Sequence, residues 1–111
     1  MQTFVETYNQ IEGFHRWPDA PKALAYLASR HRHLFVVRCS FLVEHEDRAI
    51  EINQMQNRIE NYLRLKYGAP MELKNMSCEM LAHDLMEWGE LDGITKVTVL
   101  EDNYGGATLT R

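Results

Sequence analysis

HLFVVRCSFLV, residues 33–43, is the stretch on which the fold turns. Read with a period of two, His33, Phe35, Val37, Cys39, Phe41 and Val43 lie on one face of a strand. Leu34, Val36, Arg38, Ser40 and Leu42 lie on the other. Upstream, Met1–Phe14 carries Phe4, Val5, Tyr8 and Ile11 among polar residues and is predicted as a strand. Trp17-Pro18-Asp19-Ala20-Pro21 must then be loop, because two prolines three residues apart prevent a regular helix or a central strand. Pro21 suits the first position of a short helical turn over Pro21–Leu27.

Downstream, Glu44-His45-Glu46-Asp47 reads as a turn or an exposed strand end. Asn53 is the expected N-cap of a helix, with Gln56 three residues on as in a capping box. Ile52, Met55, Ile59, Tyr62, Leu63 and Tyr67 follow at helical spacing, and Gly68 and Pro70 stop that helix. A second helix starts near Ser77, carries Met80, Leu81, Leu85 and Trp88, and ends at Gly89. Thr95–Asp102 alternates again, with Thr95, Val97, Val99 and Glu101 on one face. Asn103-Tyr104-Gly105-Gly106 is the expected turn and Ala107–Arg111 the last strand. The order β-β-α-α-β-β predicts an α+β domain over residues 1–111, with a four-stranded antiparallel sheet and two helices on one face. Its two open edges need charge, cover or a neighbouring subunit.

Composition narrows the function. The chain has 111 residues, 45% hydrophobic and 25% charged, with a net charge of −4. That suits one globular domain and speaks against disorder. Its basic residues are scattered, so a grip on nucleic-acid phosphates is not expected. Cys39 and Cys78 lie in apolar segments and form no CxxC, which fits free buried thiols and a reducing, cytoplasmic compartment. Nothing in the sequence reads as a membrane span or a signal peptide.

Chemistry concentrates in three histidines. His31 and His33 leave the same face of an extended chain with Cα atoms roughly 6.5–7 Å apart, which allows both imidazoles to reach one ion. His15 sits where the first strand ends. If the first two strands pair, the Trp17–Arg30 loop brings it beside the other two. Three neutral imidazoles leave one tetrahedral position open, as in a working zinc site. Arg32 alternates to the opposite face. Glu101 ends the apolar Thr95, Val97, Val99 row. A carboxylate there is costly to bury unpaired, and its two oxygens suit the paired N–H donors of a guanine or pterin edge. Cys78 falls in the first helical turn, where a thiolate is favoured, with no neighbouring base in sequence. His45 and His83 read as solvated.

These motifs, in this order, resemble the 6-pyruvoyl-tetrahydropterin synthase / 6-carboxytetrahydropterin synthase family of T-fold proteins. Phe14-His15-Arg16 resembles the family's first His, and His31-Arg32-His33-Leu34-Phe35 its His-Gly-His. Met76-Ser77-Cys78-Glu79 resembles the Pro-Thr-x-Glu that opens its second helix, and Val99-Leu100-Glu101-Asp102 its late strand ending in Glu. The resemblance implies zinc on His15, His31 and His33, and Glu101 on the ring edge of a pterin, purine or nucleotide. It also implies sheets closed into a barrel by homo-oligomers (trimers stacked as hexamers), with pockets between subunits. The chain departs from the family where proton transfer is concerned. Tyr26, Leu27, Ala28 and Ser29 stand where a Cys base precedes the His-x-His, and Arg64–Asn75 lacks the Asp-His pair. No catalytic residue is assigned. The expected function is a zinc protein that binds such a ring with diverged or lost synthase chemistry. The alternative is an active zinc-dependent lyase acting on 7,8-dihydroneopterin triphosphate.

Overall fold

The computed structural model describes every residue from Met1 to Arg111. Seven main elements follow the chain: β1 (Thr3–His15), β2 (His31–Val43), α1 (Ile52–Tyr67), β3 (Met71–Lys74), α2 (Cys78–Trp88), β4 (Ile94–Glu101) and β5 (Gly105–Thr110). A 3₁₀ segment, Lys22–Leu27, lies in the β1–β2 connection where Pro21 predicts a helical turn, and a second, Glu90–Asp92, precedes β4.

The sheet has five strands in the order β3-β1-β2-β4-β5, and it is mixed: β3 runs parallel to β1 while the other pairs are antiparallel. The expected four-stranded antiparallel sheet is thereby corrected, as is the β-β-α-α-β-β order. Met71-Glu72-Leu73-Lys74 alternates buried Met71 and Leu73 with exposed Glu72 and Lys74. Four residues are enough to fill the space beside β1 that a helix–helix connection would leave open. Within one chain the sheet is open, with β3 and β5 at its edges.

Both α-helices pack on one face of the sheet. Phe35, Val37, Cys39 and Phe41 of β2, with Val97 and Val99 of β4, meet Met55, Ile59 and Leu63 of α1 and Leu81, Ala82 and Leu85 of α2 in one cluster. This is the apolar row read from residues 33–43. The α1 cap differs from the sequence reading. Glu51 is the N-cap, its carboxylate accepting from the backbone N–H of Asn53 (2.9 Å) and Gln54 (3.0 Å). Asn53 is inside the helix. Gln56 ties α1 to β1 instead, accepting from Tyr8 N–H at 2.9 Å. Ser77 caps α2 as expected, accepting from Met80 N–H at 3.2 Å.

The β4–β5 turn also shifts. Asp102 and Asn103 both take positive φ (53° and 58°), and Tyr104 N–H donates to the Glu101 carbonyl at 2.8 Å. Asp and Asn tolerate this left-handed region better than other non-glycine residues. Gly105 and Gly106 therefore belong to β5, not to the turn. A Cβ on Gly106 would come within 1.8 Å of the Val99 carbonyl oxygen, so only glycine lets β5 approach β4 there. No helix is long and apolar enough to cross a membrane.

Candidate metal centre

The β1–β2 register pairs His15 with His31 and Gly13 with His33. The β2–β4 register pairs Phe35 with Glu101. Directly paired residues share a face, so His15, His31, His33, Phe35 and Glu101 converge at one end of the helix-covered side. Gly13 contributes by having no side chain. A Cβ there would stand 3.1 Å from the Phe35 ring and 3.2 Å from Met71 Cβ. Phe35 forms the floor, its ring centroid 5.3 Å from that of His15 and 5.7 Å from that of His33.

The three histidine rings lie edge to face, with centroids 4.6, 5.0 and 5.1 Å apart. One ligating atom from each lies within 4.8 Å of the others, so the cluster can hold a metal ion. Hydrogen bonding selects which atoms these are. His15 Nδ1 is 3.0 Å from the Met76 carbonyl, and His31 Nδ1 is 2.9 Å from the Ser29 carbonyl. A carbonyl only accepts, so each Nδ1 carries the proton and each neutral ring keeps its lone pair on Nε2. His33 Nδ1 meets the Asp102 carboxylate at 2.6 Å, with the same consequence. Outer acceptors that fix ring tautomer and orientation are the usual support of metal-binding histidines.

A further observation tests the fit. His33 Nε2 is a buried nitrogen with no hydrogen-bond partner. Buried polar atoms are rarely left so. An imidazole lone pair aimed among two others suits a cation, and these residues fit a metal.

Glu101 joins the cluster. Its Oε1 lies 3.2 Å from His15 Nε2 and its Oε2 3.5 Å from His33 Nε2. In the metal-free chain the Glu101 hydrogen bond is the largest influence on His15. It outweighs burial and raises the pKa above the ordinary histidine value, with the Met76 carbonyl adding to the rise. The same contact holds the Glu101 carboxyl below its ordinary range, against partial burial. Asp102 is likewise lowered, first by His33 and then by the Leu34 N–H it accepts at 2.7 Å.

No protein-family model matches this chain, and no curated protein matches it in sequence.

Both flanking arginines point away from the cluster. Arg32 pairs with Glu12, and Arg30 pairs with Glu72 while its guanidinium lies over the Phe14 ring. His15, His31 and Glu101 open onto a pocket of about 660 Å³, which Trp17, Cys78, Tyr104 and Gly106 also line. Such a volume is in the range that takes a small molecule. Cys78 is buried, and its Sγ is 3.7 Å from Glu101 Oε1. Burial, then the Glu101 charge, pushes its thiol up to about 12. The thiolate that the helix start favours is therefore not formed. Cys39 is a second free, buried thiol. His45 is exposed, and His83 is an exposed residue of α2 paired with Glu87; neither approaches the cluster.

Sequence reading missed Asp102 and the carbonyls of Ser29 and Met76. Asp102 follows Glu101, so strict alternation assigns it to the far face. Its positive φ turns the carboxylate back onto β2. The Asp-Asn pair at the strand end was a usable signal. Backbone carbonyls carry none.

Proposed function

We propose that this chain is a zinc-containing T-fold-like protein of the tetrahydropterin synthase type. It binds a pterin, purine or nucleotide-like small molecule, and its synthase chemistry has diverged or been lost. One observation carries the metal part: each histidine of the trio has its Nδ1 held by an outer acceptor, which leaves the three Nε2 atoms to ligate an ion once His15 gives up the proton it shares with Glu101. Three neutral imidazoles favour zinc over the hard cations magnesium and calcium, which prefer oxygen. When bound, zinc supplies a Lewis acid that polarises a ligand oxygen.

This chain's own residues do the rest. Glu101 offers two carboxylate oxygens at the pocket wall to a pair of ring N–H donors. Trp17 and Tyr104, each partly or fully exposed at the same pocket, offer flat apolar surface to a ring. No thiolate or uncommitted imidazole stands in the pocket as a spare base. Cys78 is held at about 12, and His15, His31 and His33 are committed to the metal. That supports a binder over the lyase acting on 7,8-dihydroneopterin triphosphate. A homo-oligomer, trimer or hexamer, is part of the proposal. It is supported by the open edges β3 and β5 and by partly exposed Phe4, Tyr8 and Leu42 on the face without helices.

Calorimetry on zinc-loaded protein with neopterin, guanosine triphosphate and 7,8-dihydroneopterin triphosphate tests the reading. Saturable binding of one of them, lost in Glu101→Ala, with the ligand recovered unchanged after denaturation, is expected. Chelator-sensitive turnover would replace the binder by the lyase. No heat with any of the three would remove the ring-binding part.

A further inference from the structure

We propose that Glu101 is a fourth protein ligand to the metal, closing the site until a small molecule draws the carboxylate away. The inference rests on the three-histidine reading above. Three observations support it.

The first is distance. Donors around a tetrahedral zinc, with bonds of about 2.0–2.2 Å, are separated from one another by roughly 3.3–3.6 Å. Glu101 Oε1 stands 3.2 Å from His15 Nε2 and its other oxygen, Oε2, 3.5 Å from His33 Nε2, each close to the edge length of such a tetrahedron. A small turn of the carboxylate is needed to set one oxygen beside both. Its contacts reach these two histidines and not His31.

The second is the character of the His33 contact. Nε2 of His33 has no hydrogen-bond partner, although the Glu101 carboxylate lies beside it. The ring proton is already engaged at Nδ1 by Asp102. In the metal-free chain the carboxylate is met by protonated His15 alone and the His33 lone pair by nothing; a cation shared among them satisfies all three.

The third is mobility of the right kind. The Glu101 backbone is fixed by pairing with Phe35 and Gly105. Its side chain is about a third exposed (34%), and a Cβ on the facing Gly105 would meet nothing within 4 Å. The carboxylate can therefore turn from the histidines to the pocket without disturbing the core.

The consequence is a coupling. While Glu101 sits on the metal, the fourth position is filled by protein and not by water. A ring edge that captures both carboxylate oxygens opens that position as it binds. Ligand capture and metal activation become one event.

Cobalt(II) as a spectroscopic substitute for zinc, with azide as an added anion, tests this in wild type, Glu101→Gln and Glu101→Asp, with His33→Ala as control. Wild type should give a four-coordinate visible spectrum that azide leaves unchanged. Both Glu101 variants should show an altered spectrum that azide shifts further, and should bind cobalt at least roughly tenfold more weakly. Wild-type protein that takes up azide readily would overturn the proposal without any variant. Glu101 variants with the wild-type spectrum and affinity would overturn it too. If His33→Ala also binds cobalt as wild type does, the three-histidine reading itself fails, a result distinct from loss of the Glu101 role alone.

Discussion

Replacing Asp102 by Asn separates the metal site's outer support from the fold. Aspartate has two oxygens here: one accepts from His33 Nδ1 at 2.6 Å and the other from Leu34 N–H at 2.7 Å. Asparagine is nearly isosteric and tolerates the positive φ of 53° at this position, so the turn survives. It has only one oxygen, which serves the backbone or the histidine and not both. If the amide nitrogen faces His33, it donates to Nδ1 and drives the ring proton to Nε2, blocking the ligand position. A hydrogen bond to a charged group contributes about 1.5–3 kcal/mol. Asp102 is half exposed (50%), which sets the effect at the low end. That is about 1.5 kcal/mol, or a roughly tenfold weaker metal Kd. Competition against a chromophoric zinc chelator at neutral pH measures it, with Asp47→Asn as an exposed control. An unchanged Kd in Asp102→Asn, or an equal loss in the control, would refute the argument that Asp102 fixes the His33 tautomer.

Other expectations follow from the same geometry. Gly13→Val should lower both thermal stability and metal affinity, because its side chain displaces the Phe35 ring that floors the histidines; denaturation and chelator titration read the two effects separately. Leu81→Ala, at a fully buried position of α2, should cost about 2–5 kcal/mol in urea unfolding and leave metal affinity in the folded state unchanged. The His15–Glu101 pair gives a pH signature. The raised His15 stabilises the metal-free fold below the ordinary histidine value, and that contribution is lost as pH rises through its folded pKa. The lowered Glu101 contributes above its ordinary value, and that is lost as pH falls through its folded pKa. The two shifts describe one ion pair, so its contribution is greatest between about pH 4.5 and 6.5. Metal must displace the His15 proton, so the rise in Tm on adding zinc should be larger at pH 8 than at pH 6 in paired scans. An equal rise at both would contradict the protonated metal-free pair.

Much of this was legible in residues 33–43 and their flanks. Period-two alternation placed Phe35, Val37, Cys39 and Phe41 on the core face, and the same alternation carried His31 and His33 to one side. Pairing of β1 with β2 then brought His15 opposite His31 across a long loop. What escaped was short or backbone-borne. Met71–Lys74 is four residues, and its partner β1 lies more than fifty residues upstream, so no local pattern announces the pairing. Glu51 caps α1 because its longer side chain reaches forward to accept from two N–H groups, a role that residue preferences give first to Asn53. Cys78 shows burial overriding a helix terminus. Near the apolar core and a carboxylate, desolvation and like charge outweigh the favourable dipole.

The central claim is that three imidazoles hold one ion, and its most direct test is the metal content of protein made without an affinity tag or added metal. Elemental analysis should find close to one zinc per chain in wild type and almost none in His33→Ala, with both proteins folded by circular dichroism. Wild-type protein that is folded yet free of metal, and that takes up none on titration with zinc, would contradict it.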